Sequence, residues 1–324
     1  MSKYFFAALG CVYSAALLAA QVSDETLVDV DGSQVYLEVA GVDDAAPLVL
    51  YLHGGPGNVP FGIVGFREGV GSRLEEEFLV AYLHQRGAGK SPAVPNAQQT
   101  IENHVNDVDK VVEFLATKYA KNEVHLVGHS WGGILTGLFA EKHGDRIGKL
   151  VFIGTGLNVR SMLRGSLGAT LEWANENDQS AAIADLQAID PSFDTLQHFG
   201  ILSRWANQAR GGVVGSIDVP AFNEANRIDI TYPNWTAPQA SIASSLLPQM
   251  LTVNLDSAIR TFKFPALFIA AENDTIAPVR AMRRDFDNYA GEKKLVVVED
   301  SHHLPFMDQP QRVAAEIISF IHMP

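Results

Sequence analysis

Val124-His125-Leu126-Val127-Gly128-His129-Ser130-Trp131-Gly132-Gly133 is the stretch from which the rest of the chain can be understood. A short apolar run ends in Gly128-His129-Ser130-Trp131-Gly132, a G-x-S-x-G motif, and a helical pattern (Ile134, Leu135, Leu138, Phe139) follows at once. Strand, tight turn and helix in that order are the context of a nucleophile elbow, which holds a serine in a strained turn at the carboxyl end of a strand. The two glycines remove Cβ atoms that would collide where strand and helix approach closely. The backbone N–H of Trp131 then opens the helix and can stabilise an oxyanion.

The flanking sequence supplies the sheet this elbow needs. Two alternating runs, residues 26–30 and 34–39, are separated by Asp31-Gly32-Ser33, a hairpin signal. Residues 47–52, 78–83, 149–154 and 264–271 are continuous apolar runs, the pattern of strands buried on both faces of a parallel sheet. A further strand is expected at 294–298 and helices at about 100–119, from the elbow to about His143, and at the carboxyl end. Strands alternating with helices predict an α/β fold with a mostly parallel central sheet, its functional residues in the loops after the strands' carboxyl ends. From about residue 155 to 262 strand signals vanish and Trp173, Trp205 and Trp235 appear. The expected organisation is a core of residues 21–154 and 263–324 interrupted by a mainly helical insertion, residues 155–262, that acts as a cap.

The chain has 324 residues, 47% hydrophobic and 19% charged, the composition of an ordinary globular protein. A formal net charge of −13 argues against nucleic-acid binding, because phosphates would be repelled. The single cysteine, Cys11, rules out a disulfide framework and a cysteine-based metal site. Lys3 precedes an apolar, alanine-rich run to Ala20, and polar Gln21 to Glu25 follow. Residues 1–20 therefore read as a secretory leader cleaved near Ala20, with a secreted or periplasmic mature protein and no stable membrane insertion once the leader is gone. An uncleaved anchor or an amphiphilic helix on a cytoplasmic protein are the alternatives.

A serine hydroxyl needs a base to take its proton, and the base needs an orienting acid. In G-x-S-x-G enzymes of this topology the chain order is serine, acid, histidine. The strand at 264–271 runs into Glu272-Asn273-Asp274, and the strand at 294–298 runs into Glu299-Asp300-Ser301-His302-His303. Either carboxylate of the first loop and either histidine of the second can thus meet Ser130 at one sheet edge. His125 and His129 share a metal-like spacing, but on a strand they are about 13 Å apart, and Gly89-Lys90-Ser91 lacks the first glycine of a phosphate-binding loop. Neither a metal nor a cofactor is expected.

Three further motifs make the pattern specific. His53-Gly54-Gly55-Pro56-Gly57, Gln85-Arg86-Gly87-Ala88-Gly89-Lys90-Ser91 and the serine box with Trp131 together resemble the proline iminopeptidase-like peptidases of the α/β-hydrolase superfamily, over about two-thirds of the chain. The resemblance implies Ser130 as nucleophile, Asp274 as acid (with Pro278 four residues on) and a terminal histidine as base. His303 fits the family's closing pattern, with Pro305, Asp308 and Pro310 at the matching positions, while His302 stands where the family has glycine. Glu272 is the alternative acid. The oxyanion donors would be the N–H groups of Trp131 and Gly55.

The implied activity is that of a cofactor-independent serine hydrolase acting on small molecules or short peptides, an aminopeptidase releasing an N-terminal residue. A carboxylesterase or lactonase is the near alternative, since the same triad serves amides and esters, and a non-catalytic binding protein on the same scaffold a remoter one. One departure bears on the peptidase reading: His84 stands where the family has aspartate before Gln85. Peptidases of the family also bind the substrate's amino terminus with acidic side chains of the cap. The insertion offers Glu172, Glu176, Asp178, Asp185, Asp190, Asp194, Asp218, Glu224 and Asp229, none singled out by its spacing.

Overall fold

A computed structural model describes residues 22–209 and 237–324. The expected leader, residues 1–20, lies outside the described residues, as do Asp218, Glu224, Asp229 and Trp235.

β1 (Val22–Val30) and β2 (Ser33–Gly41) form the predicted hairpin, turning at Asp31 and Gly32 with Gly32 at φ 71°. β1 starts four residues before the predicted Thr26, because its pairing with β2 continues until Val22 faces Gly41. β3 (Leu48–Leu52) and β4 (Leu79–His84) are buried along their whole length, as their unbroken apolar runs require. Between them residues 60–74 wind into an irregular helical stretch that the glycine-rich sequence did not announce, with Ile63, Phe66, Val70 and Leu74 buried at helical spacing.

α1 (Ile101–Lys118) starts at Thr100, whose hydroxyl accepts the N–H of Asn103 at 3.1 Å, and buries Val105, Val108, Val112 and Leu115. β5 (Val124–His129), α2 (Trp131–Lys142) and β6 (Ile147–Ile153) follow. The chain then leaves the sheet for α3 (Val159–Glu176), α4 (Ser180–Gln187), α5 (Leu196–Gln208) and α6 (Ala237–Met250). It returns as β7 (Ala266–Ala271), α7 (Val279–Asn288), β8 (Lys293–Val298) and α8 (Pro310–His322).

The eight strands are ordered β1-β2-β4-β3-β5-β6-β7-β8, parallel from β4 onward. The chain runs outward from β3 to β4 and then crosses back to β5 on the other side of β3. That reversal opens a crevice beyond the carboxyl ends of β3 and β5, where open α/β sheets bind ligands. The loop carrying Gly55 leaves β3, and Ser130 leaves β5.

The helices between β6 and β7 leave and rejoin the sheet through a paired junction. Asn158 bridges Asn254, the N–H of Leu255 donates to the carbonyl of Leu157 at 2.9 Å, and that of Val159 donates to Val253 at 3.1 Å. Asp285 of α7 accepts the N–H of Leu157 at 2.6 Å, which ties the junction to the core.

Arg86, of the predicted Gln85-Arg86-Gly87 turn, is fully buried. Its guanidinium grips both carboxylate oxygens of Asp107 on α1, with Nε at 2.9 Å from Oδ2, and both terminal nitrogens donate to the carbonyl of Asp31 at 3.2 Å. Asp107→Ala leaves a buried cation unpaired and is expected to lower stability by about 3–5 kcal/mol. Urea unfolding at pH 7 reads this directly, and an unmoved midpoint would show that the pair contributes nothing.

Candidate active site

Ser130 sits between β5 and α2 at φ 52°, ψ −118°, a conformation that L residues rarely adopt. The surroundings hold it there. Its N–H donates to Ile153 at 2.9 Å, while its carbonyl accepts from the N–H of Gly133 at 2.9 Å and the hydroxyl of Thr155 at 2.8 Å. A Cβ on Gly132 would land on the carbonyl oxygen of Leu52, so the close approach of helix and strand leaves room only for glycine.

His303 Nε2 lies 3.0 Å from Ser130 Oγ, and its Nδ1 lies 2.9 Å from Asp274 Oδ2. An ionised carboxylate only accepts, so Nδ1 carries the proton and Nε2 presents its lone pair to the hydroxyl. The other oxygen of Asp274 accepts the N–H groups of Ile276 at 2.8 Å and Ala277 at 2.9 Å. Burial pulls the Asp274 carboxyl upward, but the His303 ring and these two N–H groups outweigh it and hold it below its ordinary value.

The alternatives are engaged elsewhere. The backbone N–H of His302 donates to Asp308 at 2.7 Å and its ring Nδ1 lies 3.2 Å from the same carboxylate oxygen. Glu272 accepts the N–H of Asp300 at 3.1 Å. Of the two carboxylates and two histidines that the sequence offered, the structure brings Asp274 and His303 to Ser130.

Trp131 is the first residue of α2, so its N–H has no acceptor within the helix. The loop after β3 lies against the serine: a Cβ on Gly54 would stand 3.1 Å from Ser130 Cβ. Gly55 has φ 123°, and a Cβ there would meet the backbone nitrogens of Gly57 and Asn58 at 2.6 Å. Among the described residues neither the N–H of Gly55 nor that of Trp131 donates to a protein acceptor. Of these two N–H groups without a protein acceptor, one follows Ser130 in sequence and the other lies in the loop against it.

Sequence reasoning set His129 aside as a metal ligand and gave it no other role. The structure buries it under the base: its Nε2 lies 2.8 Å from the carbonyl of His303, and its ring packs edge-on against Phe306 with centroids 5.0 Å apart. Burial, with His303 nearby, pushes its ring down to about 3, so it stays neutral and holds the loop bearing His303 by donating a hydrogen bond. His84, at the family's aspartate position, is buried between β2 and the following turn. It accepts the N–H of Lys90 at 3.1 Å and stands 3.4 Å from Glu38.

The acidic residues of the α3–α6 segment are largely spoken for. Arg280 takes both oxygens of Glu172 at 2.9 and 3.0 Å, Arg160 takes Asp194 at 2.6 Å, and Asp185 holds Arg204 and the indole of Trp205. Asp190 accepts the N–H of Ser192 at 2.9 Å. Among the described residues no group of three or more His, Cys, Asp or Glu could hold a metal ion, and no helix is long and apolar enough to cross a membrane.

The sequence profile that describes the alpha/beta hydrolase fold family matches residues 47–310. A probable aminopeptidase of Bacillus subtilis is 23% identical, over 89% of this chain and 92% of its own. A proline iminopeptidase of Heyndrickxia coagulans is 22% identical, over 92% of this chain and 98% of its own. Among solved structures, an esterase from Exiguobacterium antarcticum superposes with a TM-score of 0.63 at 19% identity, covering 93% of this chain and all (100%) of that one. At that identity the likeness concerns the fold.

Proposed function

We propose that this chain, which belongs to the α/β-hydrolase fold family, is a serine hydrolase that works through an acyl-enzyme and releases N-terminal residues from short peptides. The observation that carries the reading is the hydrogen-bonded series Ser130 Oγ, His303 Nε2, His303 Nδ1, Asp274 Oδ2, with steps of 3.0 and 2.9 Å. In this reading His303 takes the proton as Ser130 Oγ attacks the acyl carbon. The carbonyl's electron pair moves to its oxygen, which the N–H groups of Gly55 and Trp131 hold. Asp274 stays ionised and stabilises the imidazolium. The tetrahedral adduct then collapses, and His303 returns the proton to the leaving amine. Water, activated by the same histidine, attacks the acyl-serine and restores the hydroxyl.

Two relatives matched over nearly their whole length, one named a probable aminopeptidase and the other a proline iminopeptidase, support a peptide substrate. We take the helices between β6 and β7 as a cap that admits small substrates and excludes folded proteins. A carboxylesterase or lactonase is the second reading, favoured by one observation: Glu172, Asp185 and Asp194 are already paired with arginines and so are poor receivers for a substrate ammonium.

The deciding test compares prolyl and alanyl arylamides with p-nitrophenyl acetate and butyrate, using Ser130→Ala as control. The expected result is arylamide cleavage that disappears when the substrate's amino group is blocked. Ester turnover alone, lost in Ser130→Ala, would leave the serine chemistry standing and replace the peptidase by an esterase.

A further inference from the structure

We propose that Gln85 is the positioning residue of the oxyanion site, its one side chain fixing the spacing between the backbone N–H donors of Gly55 and Trp131. The inference rests on the reading of Ser130 as nucleophile.

Gln85 follows β4 and is buried beneath both donor segments. Its Oε1 accepts the indole N–H of Trp131 at 2.8 Å, and its Nε2 donates to the carbonyl of His53 at 2.8 Å. An indole only donates and a carbonyl only accepts, so the carboxamide has a single orientation that satisfies both. One rigid planar group therefore spans from the residue after the nucleophile to the first residue of the loop that carries Gly55.

A second connection runs through the His53 ring. The backbone N–H of Gln85 faces His53 Nε2 at 3.3 Å, and His53 Nδ1 lies 2.8 Å from the carbonyl of Gly54. Nε2 is thus the acceptor and Nδ1 the donor. Burial pushes this ring down to about 3, so it keeps the neutral form that the arrangement needs. The Gly54 carbonyl and the Gly55 N–H belong to one peptide plane. Holding the oxygen fixes the direction of the N–H, and a hydrogen bond at the oxygen makes that N–H a stronger donor. Trp131 is confined on its other side by His104, edge-on with centroids 5.7 Å apart. Gln85 reaches the Trp131 N–H through that residue's indole and the Gly55 N–H through the His53 segment, whose Gly54 carbonyl also accepts the N–H of Asn58 at 3.3 Å.

The test uses the full chain carrying Gln85→Met or Gln85→Glu, with p-nitrophenyl acetate as substrate and 2,2,2-trifluoroacetophenone as a probe whose serine adduct carries an oxyanion. Met deletes both side-chain bonds, while Glu keeps the acceptor for Trp131 and turns a second acceptor on the His53 carbonyl. Rates are expressed per active site, counted by fluorophosphonate labelling run to completion. In both variants kcat is expected to fall about 10- to 100-fold, with KM moving less than about threefold. Inhibition by the ketone should weaken by the same factor as kcat, because both report the oxyanion. Added to Trp131→Phe, which already lacks the indole donor, Gln85→Met should cost less than it does alone.

A lower count of active sites with kcat per site and ketone affinity unchanged would make Gln85 a folding residue and overturn the proposal. So would a fall in kcat that left the ketone affinity intact. A wild-type chain with no Ser130-dependent turnover would instead remove the nucleophile reading on which the inference stands.

Discussion

Ser130→Ala is expected to lower kcat by about a million-fold and to abolish covalent labelling by a fluorophosphonate. The size follows from the geometry. His303 Nε2 aims its lone pair at Ser130 Oγ, and without that oxygen the imidazole has no proton to take and the acyl carbon no attacker. What survives, about 10³–10⁴-fold over water, is the contribution of binding and of the oxyanion donors. Steady-state rates and the mass of the labelled chain measure both effects. Label on another residue, or turnover that survives the substitution, would move the chemistry away from the elbow.

The same position carries a stability prediction. At φ 52° and ψ −118° serine and alanine are strained alike, and glycine is not. Ser130→Gly should therefore be as inactive as Ser130→Ala yet more stable by about 1 kcal/mol, the relief of strain exceeding glycine's entropic cost. Comparing urea midpoints of the two dead variants isolates that strain from any loss of chemistry.

Asp274→Asn is expected to lower kcat by about 10⁴-fold without unfolding the protein. Oδ1 of Asp274 already accepts the N–H groups of Ile276 and Ala277, and a carboxamide must keep its oxygen there. Its NH2 then faces His303 Nδ1 and donates. The ring responds by carrying its proton on Nε2, toward Ser130, which is the tautomer that cannot act as a base. Glu272→Gln and His302→Gln, altered at residues bonded to Asp300 and Asp308, should retain most of the activity. Parallel loss in Glu272→Gln would transfer the acid's role to that residue.

The sign of the pH effect follows from the same contacts. The Asp274 carboxyl is held below its ordinary value of 3.8, so its contribution to stability is fully present above that pH and is lost as pH falls through the lowered value. Any fall in rate between pH 5 and 7 therefore belongs to another group.

Ser130, Asp274 and His303 were legible because each lies in the turn or loop that follows an apolar strand, and such strands announce themselves in sequence. The choice of Asp274 over Glu272 and His303 over His302 came from a family pattern. The structure adds a physical reason, in that the Glu272 carboxylate accepts the N–H of Asp300 and the His302 ring lies against the Asp308 carboxylate. Gln85 and His129 were not legible. Their partners lie 46 and 174 residues away, and the bonds run partly to backbone atoms, which leave no trace in residue type. The helical stretch at 60–74 was hidden for another reason: Gly62, Gly65, Gly69 and Gly71 lower its intrinsic helix preference, and only burial of Phe66, Val70 and Leu74 pays for it.

The junction where Leu157 meets Leu255 makes the helices between β6 and β7 a detachable cassette. Its two ends stand side by side, so a foreign segment of any length grafts there without altering the order of the strands, and a short link closes at little entropic cost. Ser130, Asp274 and His303 all lie in the chain outside that cassette. If these helices act as the proposed cap, exchanging one contiguous piece of gene is expected to change selectivity while Ser130, Asp274 and His303 keep their mutual distances.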